Sequence, residues 1–289
     1  MAAKRPQPGR KGAPPSPRRT QPMRKPVSGT PAWVVPTAVV GALAVIIAAF
    51  LVYRYYTTPL PPKPLAPDTT LTVISTLAGV PAARSDTVGQ GSADNRIKPV
   101  SGATLTGSSG KPEVFYLGAE YCPYCAAQRW PLILAMSRFG TFSGLHTTSS
   151  SSTDVFPNTP TFTFHGATYT SQYVDFRAVE TEDRAGNALE TPTSQDQALV
   201  RQYDSAGSIP FVDFGNRYAF AGAMYSPDLL AGMSWQAVAD AAAQSGSPQE
   251  AAIVGSANLM IAAVCKMTAD QPSTVCGSAA IQALEKKLG

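Results

Sequence analysis

The chain is short of metal ligands: it has two histidines, His146 and His165, and four cysteines in 289 residues. Zinc normally takes two C-x-x-C pairs, or one pair plus histidines. Here one C-x-x-C is present, at Cys122 and Cys125, while Cys265 and Cys276 stand ten residues apart in the count used for such motifs. A structural zinc centre is therefore poorly supplied, and no metal or cofactor is called for. Acids are missing from residues 1–31, and charge of either sign is missing from Trp33 through Tyr53. There is no Gly-rich phosphate loop, no hydrolase elbow and no internal repeat to compete with the cysteine motif.

The acid-free start carries eight Lys or Arg among many prolines, so it cannot bury a core and reads as a disordered basic tail. The 21 uncharged residues Trp33–Tyr53 are long enough as a helix to cross about 30 Å of hydrocarbon. Trp33, Tyr53, Tyr55 and Tyr56 supply aromatic anchors at the two interfaces. One transmembrane helix is the economical reading. A cleaved signal peptide competes with it, but no small-x-small cleavage pattern follows Tyr53. Positive charge is heavy before the helix and light after it, with Arg54 and Lys63 only, which predicts a cytoplasmic N-terminus and an external C-terminal domain in a single-pass cell-membrane protein. Beyond residue 56, 14 Lys or Arg face 19 Asp or Glu, a net of 14 − 19 = −5. The external part thus lacks the basic signature of a nucleic-acid binder.

Along the chain, these patterns divide the sequence into the tail at 1–31, the membrane helix at 32–56, a proline-rich linker at 57–67, an N-terminal extension at 68–110 and the main domain at 111–289. Leu71, Val73, Ile74 and Leu77 predict a short helix in the extension, which either packs on the main domain or forms a disordered stalk. In the main domain, Val114–Leu117 suit a central buried strand. Pro123 then falls where the first helical position would be, where its missing N–H costs nothing. That places Cys122 at a helix N-terminus, where free N–H groups and the positive dipole end stabilise a thiolate. Cys125 lies one turn on. A redox pair is the first reading of this motif, with a metal site and an inert structural disulfide as its alternatives.

The following helix is expected to run through Pro131 with a kink, with Trp130 in the core. Leu145–Val155 reads as an edge strand or a polar loop. Thr161–Phe164 and Tyr169–Phe176 look like two strands about a His165-Gly166-Ala167 turn, with His165 at the surface and metal or proton duties as its alternative. The acids of Glu180–Glu190 read as a solvated face, and Ser194–Tyr203 as a helix capped by Ser194. Ile209-Pro210 opens an apolar run that turns at Gly215-Asn216 into a last strand. Taken alone, that proline would be an ordinary trans residue at a strand start. Trp235–Ala242 and Ile253–Val264 predict amphipathic helices, with a short one at Ile281–Leu288. In an oxidising compartment the even cysteine count favours Cys122 with Cys125 and Cys265 with Cys276. The second pair is then a staple or a relay dithiol exchanging with Cys122.

The strand, Cys122-Pro123-Tyr124-Cys125 opening a helix, and Ile209-Pro210 opening a later strand together resemble the thioredoxin superfamily. The C-P-Y-C choice is similar to glutaredoxins, and the external location with a long insertion resembles DsbA-type enzymes. The runs GKPEVFYLGAEYCPYCAAQRW, SSSTDVFPNTPTFTF and SIPFVDFGNRY resemble more closely a prokaryotic family, domain of unknown function 929, over roughly Gly110 to the C-terminus. The resemblance implies an α/β, thioredoxin-like fold with a long insertion and extra C-terminal helices, preceded by one transmembrane helix. It also implies a cis proline at Pro210 beside the C-x-x-C, with Ile209 and Pro210 pairing with substrate backbone. The expected function is thiol–disulfide exchange with extracytoplasmic proteins and with a membrane redox partner. In it Cys122 attacks, Cys125 resolves, and Tyr121, Pro123 and Tyr124 tune potential and access. A non-catalytic adaptor, or a chaperone passing Cu(I) between two thiolates, is the alternative.

Overall fold

The computed structural model describes residues 34–57 and 63–289. The basic tail over 1–31, Trp33 and residues 58–62 of the proline-rich linker lie outside the described residues. The chain divides into two units, 1–55 and 56–289. The first holds nearly all of helix α1 (Val34–Thr57). Its stretch Val39–Thr57 is long and apolar enough to cross a membrane, by length and composition. Val39, Leu43, Ile46, Ile47, Phe50 and Leu51 are all exposed along it, and a helix without a polar face suits lipid rather than water.

In chain order the second unit begins with α2 (Pro67–Ala78), α3 (Arg84–Val88), β1 (Lys98–Pro99), β2 (Glu113–Gly118) and α4 (Pro123–Met136). Four short strands follow, β3 (Gly140–Ser143), β4 (His146–Ser149), β5 (Pro160–Thr163) and β6 (Thr168–Ser171), then β7 (Asp175–Glu180) and α5 (Ser194–Tyr203). The chain ends with β8 (Phe211–Phe214), β9 (Tyr218–Ala221), α6 (Trp235–Ala243), α7 (Pro248–Met267), α8 (Ser273–Cys276) and α9 (Ala279–Leu288). This is a mixed α/β architecture.

The main sheet has the order β1-β9-β8-β2-β7. All six residues of β2 are buried, and its apolar run Val114–Leu117 suits a strand covered on both faces. It pairs in parallel with β7 and antiparallel with β8. A parallel pair needs a long crossover, and here α4 and the four short strands provide it. At the β8–β9 turn Gly215 and Asn216 both have positive φ, 65° and 59°, the geometry of a tight hairpin that Gly and Asn tolerate. Ile209-Pro210 and Gln271-Pro272 are both cis.

Helix α4 is buried along its whole length except at Tyr124, and it packs against α7. Helix α7 is also long and apolar enough to span a membrane, yet 83% of that stretch is buried, which makes it the core helix of this unit. The extension at 68–110 belongs to the same unit. Helix α2 buries Val73 and Leu77 and packs on α6, while α3 packs on α7 and α9. A close backbone approach pins the extension down: a Cβ on Gly255 of α7 would come within 2.1 Å of the Gln90 carbonyl oxygen. Asn258 of α7 donates to the Gly89 carbonyl at 2.7 Å.

The insertion differs from the sequence expectation. The strands on either side of the His165-Gly166 turn do not pair with each other, because β5 pairs with β4 and β6 with β3. The expected strand over Tyr169–Phe176 is two strands. The Ser171 hydroxyl accepts the N–H groups of Tyr173 and Val174 at 3.0 and 3.3 Å, which ends β6 before β7 begins. Such side-chain bonds compete with a sheet ladder for backbone donors. Two smaller corrections concern α5 and the acidic stretch. Thr193, not Ser194, caps α5, in a reciprocal box with Asp196. Glu180 is fully buried in β7 and so is no part of a solvated face.

Candidate functional site

The site forms where β2 ends and α4 begins. Gly118 closes the strand without a side chain, and a Cβ there would lie 2.2 Å from the Tyr116 hydroxyl. Cys122 is the N-cap of α4, with extended backbone angles, and Pro123 follows in the first turn. Its Sγ accepts the Cys125 N–H at 3.3 Å and lies 3.9 Å from the carbonyl oxygen of Ile209, towards which the thiol donates. Pro210 is buried beside Ile209, and its carbonyl accepts the Gly222 N–H at 2.8 Å. The structure therefore brings Cys122, Cys125 and Ile209-Pro210 together. Cys122 and Cys125 are free thiols, whereas Cys265 and Cys276 form a disulfide elsewhere in the unit, between α7 and α8.

The two free thiols are not equivalent. Cys122 keeps 6% of its surface exposed and Cys125 none. The hydrogen bond from the Cys125 thiol, then the N–H groups of Cys125 and Tyr124 and the charge of Arg129, hold the Cys122 thiol below its ordinary pKa, against the effect of burial. Burial, and after it the Cys122 sulfur, push the Cys125 thiol well above its own. One thiol that ionises readily and keeps some exposure, with a second held protonated beneath it, is what a two-step exchange of disulfides needs.

Around this pair the other motif residues take different positions. Tyr124 points outward, 42% exposed, with its ring edge-on to Phe156 of the insertion at 5.8 Å. The Tyr121 carbonyl accepts the Ser151 N–H at 2.8 Å, so the same insertion loop is tied to the motif. His165 is half-exposed, with Nδ1 2.7 Å from Glu190. Among the described residues no group of three or more His, Cys, Asp or Glu side chains is placed to hold a metal ion.

Sequence reasoning missed the layer beneath the thiols. Arg129 is completely buried, one helical turn past Cys125, and its Nε and Nη2 donate to the two oxygens of Glu180 at 2.8 and 2.6 Å. Nη2 also donates to the Ala119 carbonyl at 2.8 Å, and the guanidinium lies 5.7 Å from the centre of the Tyr116 ring. Burial opposes the arginine's charge most strongly, but Glu180 and Tyr116 raise its pKa above the ordinary value overall. The same burial lifts the Glu180 carboxyl, against Arg129 and the Phe164 N–H. The bidentate geometry resolves these opposed directions in favour of an ionised pair. One signal was available: Arg129 sits i+4 from Cys125, on the face that meets the strand.

The arrangement defines a mixed α/β domain that presents a dithiol at a helix start beside a cis-proline loop. The chain belongs to the family described as Domain of unknown function (DUF929), whose model matches residues 98–266. The match begins twelve residues before Gly110 and stops short of Cys276, so it takes in both free thiols and Ile209-Pro210 but one partner of the disulfide only. No curated protein and no solved structure matches the chain.

Proposed function

We propose that the protein is a membrane-anchored, extracytoplasmic thiol–disulfide oxidoreductase of thioredoxin-like fold, exchanging disulfides with protein substrates through Cys122 and Cys125. The single observation that carries this reading is the asymmetry of the two sulfurs: Cys122 at the open helix start with a lowered pKa, Cys125 sealed beneath it with a raised one. The fold reading is supported by a parallel β2–β7 pair connected through α4, the antiparallel β8 and β9 that follow, and the Ile209 carbonyl, which approaches Cys122 Sγ just before β8. The anchor is α1, and the orientation rests on the positive charge that precedes it.

The Cys122 thiolate attacks one sulfur of a substrate disulfide, forming a mixed disulfide and expelling the other substrate sulfur as a thiolate that takes a proton from water. Cys125 loses its proton and attacks Cys122 Sγ, forming the Cys122–Cys125 disulfide and releasing the second substrate thiolate. Two electrons pass from the cysteine pair to the substrate, and a dithiol protein at the membrane returns them. The reverse sequence oxidises substrate thiols, with a disulfide protein as the acceptor. Ile209 offers a backbone carbonyl beside the reacting sulfur, and Tyr124 an exposed ring at its rim.

Substrate trapping tests the assignment. Cys125→Ser keeps the nucleophile and removes the resolving thiol, so mixed disulfides with partner proteins should accumulate and survive denaturation, whereas Cys122→Ser should trap almost none. Absence of trapping by both variants, together with stoichiometric Cu(I) on the purified wild-type chain, would replace this reading by the metal-carrying one.

A further inference from the structure

The Arg129–Glu180 pair invites a question that packing does not answer. Bringing each ion into a protein interior costs several kcal/mol even after relaxation, and apolar replacements of such pairs are often neutral or stabilising. A staple at this position would not need charge. The pair is also incompletely satisfied, since Arg129 Nη1 is buried without a hydrogen-bond partner, as is the hydroxyl of Tyr116 beside it. Both belong to the layer beneath Cys125, and the Arg129 charge acts on both sulfurs.

We propose that Arg129, held in place by Glu180, is a positioning residue for the resolving step: its buried charge stabilises the Cys125 thiolate as it forms, and so favours closure of the Cys122–Cys125 disulfide. The inference rests on the exchange chemistry proposed above. Cys125 has the harder task of the two thiols, because it must ionise in a site with no exposed surface. Water cannot stabilise the anion there, so a fixed charge in a low-dielectric setting is worth more than it would be at the surface.

Other groups around Cys125 do not offer this. Cys122 is engaged in the mixed disulfide at that moment. Tyr116, from β2, is neutral, with burial pushing its hydroxyl well above the usual value. Glu180, from β7, is an anion and would oppose a thiolate if Arg129 did not compensate it. From α7, Met260 meets Gln128 of the same helix as Cys125 and is uncharged. Arg129 supplies the cation, and Glu180 fixes its orientation through two hydrogen bonds.

The test separates the two chemical steps in the full-length chain, kept in detergent, with Cys122 and Cys125 reduced and mixed with 5,5′-dithiobis(2-nitrobenzoate). Attack by Cys122 releases one thionitrobenzoate and leaves the other on its sulfur. Closure by Cys125 releases the second, so the reaction has two phases. Arg129→Met/Glu180→Met removes both charges together. The first phase should stay within about threefold, while the second slows about tenfold at neutral pH and its midpoint moves up by about one pH unit, the equivalence between a unit of pKa and a factor of ten. Arg129→Lys, which keeps a cation opposite Glu180, should restore most of the second-phase rate. If the methionine pair does not fold, Arg129→Gln/Glu180→Gln keeps polar contacts without charge and is read in the same way. A folded double variant with an unchanged second phase, or one that slows both phases equally, overturns the proposal. The reagent supplies the disulfide, so a chain that exchanged with no protein would still show both phases, and failure of the function is read separately from failure of this inference.

Discussion

Two cysteine pairs sit in one compact unit, and they occupy opposite ends of helices. Cys122 caps the start of α4, where unpaired N–H groups face the sulfur. Cys265 lies in the last turn of α7, and Cys276 is the final residue of α8. The carbonyl of Cys265 already accepts the N–H groups of Thr268 and Asp270, at 3.2 and 2.9 Å. A thiolate is favoured at the positive end of a helix dipole and disfavoured at the negative end. Burial adds a smaller difference: Cys122 keeps 6% of its surface exposed, against 0 and 1% at Cys265 and Cys276. Placement on a helix therefore separates the free pair, for which exchange is proposed, from the pair that is bonded in the structure.

The largest effect should appear when the oxidised protein is titrated with dithiothreitol, quenched by alkylation and mapped by peptide mass. The Cys122–Cys125 disulfide should open on the order of a hundred times faster than Cys265–Cys276, because the reagent can reach the Cys122 sulfur, 6% exposed, whereas Cys265 and Cys276 keep 0 and 1% of their surface. Equal rates would erase the distinction between the pairs. The next effect concerns stability. Cys265→Ser/Cys276→Ser removes a link across a sequence separation of 11 residues, and should cost about 2–3 kcal/mol in denaturant unfolding. Exchange per folded molecule should change by less than about twofold. Loss of exchange in a folded variant would make the second pair a relay dithiol.

The smallest effect is a control that should leave both pairs untouched. Asp213 in β8 is buried, and burial raises its pKa to about 7, against the Asn216 N–H and with help from Glu113. A carboxyl whose folded pKa lies above its unfolded one holds a proton in the folded state that the unfolded chain has lost. Its contribution is complete below the unfolded value near 3.8 and falls as pH rises towards 7. Asp213→Asn should therefore gain about 1–3 kcal/mol relative to wild type between pH 5 and pH 8 in urea unfolding. No relative gain would mean that Asp213 ionises normally.

Much of this contrast was legible in the residues. The apolar run before Cys122, the proline after it and the 3.6-residue spacing in α6 and α7 are local patterns, and local patterns survive without knowledge of the fold. The Gly215-Asn216 turn is legible for the same reason. What stayed hidden depends on neighbours distant in sequence. Arg129 and Glu180 look like surface charges one at a time, and their burial becomes evident only when α4 crosses β7. The partners of β5 and β6 were misread because adjacency around a turn suggests a hairpin, while the packing of the insertion sends each strand to another. The cis bond before Pro272 carries no sequence mark that distinguishes it from the other proline positions.

The inequality of Cys122 and Cys125 is read from the pH dependence of iodoacetamide labelling at each thiol in the reduced chain, resolved by peptide mass. Cys122 should label faster than Cys125 at every pH near neutrality, with a midpoint below that of an ordinary thiol, while Cys125 stays unlabelled until well above it. Faster labelling of Cys125, or one shared midpoint at the ordinary thiol value, would contradict the assignment of nucleophile and resolving thiol.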